Sequence, residues 1–511
     1  MARPAEHGHP DRGCDVLNQA RPAQIGGGAS YSLAGGSGLL FLAQLIGNTG
    51  LFVSVLLVAR ALGPEGRGTA AFLLVSAQVV ARIATFGLPE ATMVLATDRG
   101  QRRPLLTNLL AFSAASSLVM GLVTVLGLQL LGQLRPAGIG PFELALLVAA
   151  ICSNAVMTAA EHFLQGVGAV PQRAAVIVTW PWLYAAVIVV LTESLQLDVT
   201  HVAMAWIVGQ VVAGSYGIAA SISRAGLGRL DLPLLGSSLR FGLRLWVGSL
   251  ALFLNFRVDQ ILMGFIASRA TLGIYAVAVN LSETLLLLPT AVATALPPII
   301  AGSRPRERVE RTLRALQLLL VATVISVLLA GVAGPPLLPV IFGPAFAASI
   351  GPFLLLLPGA LGFAVMRVFS ASLLGASAPG LSSLAALVSL VVGIVLDLLL
   401  IPRLGAEGAA IAASAAFIAG GIVSVVAYRI HTRFGWGALL GRRQRGHAAP
   451  VSSSQSATLP LRGASIVCLS GLDWDYVWQA HQEITYRFAA AGNRVVFVDN
   501  TGGVRSVRLS D

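Results

Sequence analysis

LNFRVDQILMGF, residues 254–265, sets Arg257 and Asp259 two positions apart inside a run otherwise apolar enough to cross a bilayer. Whether that run is a membrane span decides the fold. A charge at the centre of a span costs about 2.5–3.5 kcal/mol unless it faces protein or a wet cavity. The rest of the chain resolves the matter: of 511 residues, 56% are hydrophobic and 11% charged. That is the composition of an integral membrane protein. Apolar runs of membrane length, bounded by Arg, Gly and Pro, fall at roughly 38–59, 69–96, 105–131, 142–166, 174–192, 201–223, 241–266, 271–301, 315–341, 352–374, 381–401 and 408–428. The expected fold is an all-α polytopic membrane protein with about twelve transmembrane helices.

The formal charge of +12 comes from 34 basic residues, every one an arginine. They sit mostly in short connections rather than on one patch, which argues against a nucleic-acid partner. Alternate connections put Arg99, Arg102, Arg103, Arg173, Arg224, Arg229, Arg240 and the run from Arg304 to Arg314 on one face. The other face receives Arg60, Arg67, Arg135, Arg269 and Arg403. By the positive-inside rule the arginine-rich face, with both termini, is cytoplasmic. Connections on the opposite face are too short to hold a catalytic domain, so a transporter is expected rather than an enzyme. Cys14, Cys152 and Cys468 are far apart, without metal-ligand spacing, and no metal or cofactor is expected. Residues 1–37 form a polar tail without the pattern of a cleaved signal peptide.

The chain also reads as duplicated. ARALGPEGRGTAAF (59–72) follows the first run and ASRATLGIYAVAV (267–279) the seventh: an Arg, a small polar turn, then Gly opening a small-residue helix. RLGAEGAAIAAS (403–414) is a weaker echo. Two six-helix lobes are expected, at 38–224 and 225–434, in the manner of transporters built from repeats around a midplane cavity.

The charges inside the runs are candidate functional groups. Arg82, Arg257 and Arg367 lie mid-run in three helices across both lobes. Either they line one cationic cavity, their forked donors matching pyrophosphate oxygens, or each neutralises a nearby acid. On a continuous helix Arg257 and Asp259 point about 200° apart, so each requires a different neighbour. Glu161 and His162 stand near the inner end of the fourth run, as a hydrated pair or a proton-coupling site. Glu283 and Asp397 suit interhelical hydrogen bonds or a coupling ion. Pro89, Pro181, Pro289, Pro297 and Pro358 fall within or at the ends of runs and free backbone carbonyls there.

LGPEGRG (62–68), GLRLWVGSLALFLNFRVDQILMGF (242–265), LGIYAVAVNLSETLLLLP (272–289), IFGPAFAAS (341–349) and LLLIPRLGAEGAAIAAS (398–414), in this order, resemble the polysaccharide biosynthesis flippases. These are oligosaccharide-lipid exporters of the multidrug/oligosaccharidyl-lipid/polysaccharide superfamily. The resemblance covers about residues 38–430. It implies alternating access in a bacterial inner membrane and a cationic cavity that accepts an undecaprenyl-pyrophosphate-linked oligosaccharide. Asp397 departs from the Asn expected at its position. Partners implied are the lipid-linked oligosaccharide, membrane lipids and glycosyltransferases of the same pathway. Two other readings stay open: a cation-coupled multidrug exporter of the same superfamily, and a membrane glycan polymerase or ligase.

Beyond a basic, Ser-rich linker (435–462), composition turns soluble over 463–511. SIVCL and RVVFVDN read as strands around a helical stretch ending near Ala491. This start of a βαβ unit resembles the N-terminal part of a GT-B-type glycosyltransferase, too short to catalyse.

Overall fold

The computed structural model describes residues 33–130, 140–194, 196–432, 465–469, 494–498 and 504–507. Most of the polar tail, the 435–462 linker and the expected helix before Ala491 lie outside them. The membrane part is helical throughout: α1 (Leu33–Ala84), α2 (Leu88–Leu95), α3 (Arg102–Leu130), α4 (Pro141–Gly166), α5 (Val170–Ser194), α6 (Val199–Ala225), α7 (Leu232–Leu254), α8 (Val258–Ile266), α9 (Arg269–Glu283), α10 (Leu287–Ala301), α11 (Pro305–Phe342), α12 (Ile350–Gly375), α13 (Pro379–Leu404) and α14 (Ala406–Thr432). Short 3-10 turns join α9 to α10 and α11 to α12.

Ten helical segments are long and apolar enough to span a bilayer, one of them α9 continued through α10, and α7 with α8, bent by 54°, makes an eleventh. The difference from twelve lies in α1, which holds the first apolar run and most of the second. At about 1.5 Å per residue its 52 residues would reach roughly 78 Å, more than twice the ~30 Å hydrocarbon core. Gly63 breaks it, with φ 65° and ψ −173°. The break follows from the sequence: Gly63 takes a conformation closed to L side chains, and Pro64 begins the next arm, where its missing N–H costs nothing. All twelve runs therefore fall on helices. Gly405 (φ 56°) ends α13 in the same way within the RLGAEG echo.

Small residues bring the helices close, since apolar burial gives no drive for association among lipid tails. The α14 run AEGAAIAASAAFIAGG packs closely on α12, as its composition predicts: a Cβ on Gly362 would lie 2.6 Å from the Ile418 nitrogen. Ser414 donates to the Leu355 carbonyl at 2.6 Å and Ser389 to Ala416 at 2.8 Å, so the hydroxyls buried there are satisfied. The connection from α6 to α7 is fastened to α3. Asn108 exchanges two hydrogen bonds with the Asp231 backbone (2.7 and 3.0 Å), and Thr107 does the same with Gly228.

In the C-terminal segment β1 (Ser465–Leu469) and β2 (Arg494–Val498) pair in parallel, as a βαβ start requires. A third strand, β3 (Val504–Val507), joins β2 antiparallel. The sequence does not announce it, because VRSV is short and carries no run of apolar residues.

Candidate functional site

Arg82 lies in the last turn of α1. The chain then breaks at Phe86 (φ 46°) and Gly87 (φ 74°) and restarts with Pro89 and Glu90 in the first turn of α2. There a carboxylate meets the positive end of the helix dipole. The break folds Glu90 back onto Arg82, Nη2 to Oε1 2.6 Å. Helix α7 closes over the pair: Trp246 donates to the Arg82 carbonyl (3.2 Å) and Ser249 to Glu90 (3.0 Å). Backbone contact permits this, because a Cβ on Gly242 would overlap the Gly87 carbonyl oxygen. Arg82 also lines a cavity of about 160 Å³ with Gln78, Thr85, Asn154, Thr158 and Phe253.

The opening stretch is not one helix. Residues 255–257 form a turn, and Arg257 is the N-cap residue of α8. The expectation that Arg257 and Asp259 look to different neighbours is met, although the continuous-helix geometry behind it is replaced by this bend. Arg257 pairs with Glu283 of α9 at 2.5 Å. Asp259, buried, accepts from the Tyr275 hydroxyl of α9 and from the Gln260 N–H. Asn255 holds the bend by donating to the Ala251 and Ala386 carbonyls (2.8 and 2.9 Å). Asp397 on α13 is 2% exposed, and its Oδ1 has no hydrogen-bond partner among the described residues. A buried carboxylate oxygen left open is costly unless a proton or cation occupies it.

Arg367 differs from the other two arginines. Among the described residues it forms no ion pair. Its Nε is buried without a partner, and its guanidinium stands 5.9 Å from the Phe363 ring centre. It lines a cavity of about 260 Å³ with Arg244, Ser249, Ser370, Ser382 and Ser383. Two guanidinium groups and four serines line it, Ser249 being already engaged with Glu90, and such a lining suits an anion. Arg244 does not stand out in the sequence, since one turn after Arg240 it looks like the interfacial end of a span. The signal available was its polar company, Arg244 followed by Ser249.

The three arginines therefore do not share one of these chambers. Arg82 lines the first and Arg367 the second, while Arg257 lines neither. Glu161 is bound by Arg173 at 3.0 Å, and His162 Nδ1 contacts the Thr158 carbonyl at 2.8 Å. His162 and Glu161 therefore have separate partners.

Comparison with curated proteins finds no match. Among solved structures, the lipid II flippase MurJ in an inward closed conformation superposes with a TM-score of 0.65 at 15% identity, covering 78% of this chain and 87% of that one. An inward-facing multidrug resistance MATE transporter of the MOP superfamily gives 0.61 at 16% identity, covering 79% and 99%. A MOP-superfamily transporter from Pyrococcus furiosus gives 0.54 at 15%, covering 78% and 95%. At these identities the likeness shows that this chain shares their fold. The glycosyltransferase resemblance of the C-terminal segment finds no support in these matches. The polysaccharide biosynthesis protein family matches residues 33–304. Over half the chain carries that match, and the protein belongs to the polysaccharide biosynthesis protein family.

Proposed function

We propose that this chain moves a lipid-linked oligosaccharide across the bacterial inner membrane by alternating access, gripping the anionic pyrophosphate of an undecaprenyl carrier. The observation that carries the reading is the chamber of Arg244 and Arg367, two guanidinium groups without a carboxylate partner among the described residues and flanked by four serines. Guanidinium forks suit phosphate oxygens, and serine hydroxyls suit the remaining lone pairs. Arg82 and Arg257, each held by a carboxylate, then belong to the walls and to the bend rather than to the first contact with substrate. The chamber is lined by the adjoining ends of α12 and α13, the side on which the arginine-rich connections fall and from which a cytoplasmic carrier would enter. MurJ, whose fold this chain shares, is described as a lipid II flippase. Asp259 and Asp397, with the open Oδ1, are proposed as the place where a proton or monovalent cation couples to the cycle. Glycosyltransferases that build the glycan are the proposed partners.

The test is transport of an undecaprenyl-pyrophosphate-linked oligosaccharide by the full chain in vesicles, counted per folded molecule. Arg367→Ala and Arg244→Ala are each expected to lower export at least ten-fold with the amount of folded protein unchanged. Arg367→Lys, which keeps the charge and loses the fork, should retain part of it. Full export by Arg367→Ala, or export of organic cations in place of the glycan lipid, would overturn the reading.

A further inference from the structure

We propose that Arg60 and Arg269, one from each of the two similar turns, form a crossed clasp that keeps the arginine-poor face of the transporter shut. The inference rests on the two-lobed transporter fold and not on the identity of the cargo.

Arg60 ends the first arm of α1, in the N-terminal lobe. Its guanidinium donates from Nε to the Ile341 carbonyl at 2.7 Å and from Nη2 to the Val340 carbonyl at 2.8 Å, both in the C-terminal lobe. These carbonyls are in the last turn of α11, where an α-helix leaves its final C=O groups without intrahelical donors. Four residues beyond Val340 stands Pro344, which has no N–H to offer. A cation here meets both the orphan acceptors and the negative end of a 38-residue helix.

Arg269 makes the reverse reach. It opens α9 in the C-terminal lobe, and its guanidinium carbon lies 4.8 Å from the ring centre of Phe72, in the second arm of α1. Each turn thus sends its arginine into the opposite lobe. Between them the backbones cross. A Cβ on Gly68 would collide with the Arg269 carbonyl oxygen, and one on Gly273 would collide with that of Pro64. This reciprocity, which pairs Gly68 with Gly273 and Pro64 with Arg269, is what a pseudo-two-fold axis through the crossing produces; the two arginines reach across from either side of it without being equivalent positions. The two chambers lie towards the other face, so separating the lobes here requires both arginines to let go.

The experiment measures lobe separation without any substrate. The full chain, with Cys14, Cys152 and Cys468 replaced by serine, carries spin labels at Gln196→Cys and Ala348→Cys. Both positions are exposed on the arginine-poor face, one in each lobe. Arg60→Gln with Arg269→Gln is expected to add a longer-distance population, raising the ratio of separated to closed molecules about four- to thirty-fold, the combined range of a helix-terminal cation and a partly exposed cation–π contact. Arg60→Lys, with charge but no fork, should fall between. A distance distribution identical to that of the parent in the double variant overturns the clasp. If the double variant does not fold, Arg60→Gln alone decides the matter by the same distances, because Arg60 is exposed and its removal leaves carbonyls that water can reach. Failure of glycan export with a normal shift in distance would count against the substrate reading and leave the clasp standing.

Discussion

Arg257 and Glu283 stand 26 positions apart in sequence and 2.5 Å apart in the fold. Each is about three-quarters buried, so removing one partner strands the other in a poorly solvated place. Arg257→Ala is expected to cost on the order of 2 kcal/mol. Pairing it with Glu283→Gln should recover most of that loss, as read from thermal unfolding in detergent. If the double variant is no more stable than Arg257→Ala, the pair is not what holds Arg257. That arginines in the spans would find acids was legible in the sequence as one of two readings. Which acids was not, because Glu90 reaches Arg82 only through the break at residues 85–87, and Glu283 reaches Arg257 only through the bend of α7 into α8.

At the scale of elements, two glycines make contrasting predictions. Gly63 has φ 65° and ψ −173° with open space around its missing side chain, so Gly63→Ala meets backbone strain alone, about 1–3 kcal/mol. Gly273 has ordinary helical backbone but no room, since the Pro64 carbonyl occupies the place of a Cβ. Gly273→Ala should therefore cost at least as much and, unlike Gly63→Ala, should push the two lobes apart. Unfolding temperature and the spin-label distances between positions 196 and 348 separate the two outcomes; equal distances for both variants would show that the crossing is not under close contact. The Gly at the opening of each repeated helix was visible in ARALGPEGRGTAAF and ASRATLGIYAVAV. That the two helices meet each other at those glycines was not, because internal similarity identifies equivalent positions and says nothing of which copies touch.

For the whole molecule, the asymmetry of arginine predicts that Arg304 faces the cytoplasm and Ala348 the outside. Single cysteines at Arg304 and Ala348, both exposed, test this on intact cells with a membrane-impermeant thiol reagent. Labelling is expected at Ala348→Cys alone, and labelling at Arg304→Cys alone would invert the orientation. Ser349 would be a poor reporter, being buried with its hydroxyl on the Ile274 carbonyl at 2.8 Å.

The sequence by itself determined the helical membrane fold and the twelve apolar runs, and it is the basis for expecting two repeats. These follow from local quantities: run length against bilayer thickness, and glycine and proline at fixed places in the turns. Only the tertiary structure decided which charges remain unpaired. Arg82, Arg257 and Arg367 look alike in sequence, each an arginine in an apolar run, yet the first two meet carboxylates and the third shares with Arg244 a chamber lined with serines. The difference arises from bends at residues 85–87 and 255–257, which set what each guanidinium meets. A side chain's free charge is a property of its three-dimensional neighbours, and in the low dielectric of a membrane protein those neighbours outweigh anything the local sequence encodes.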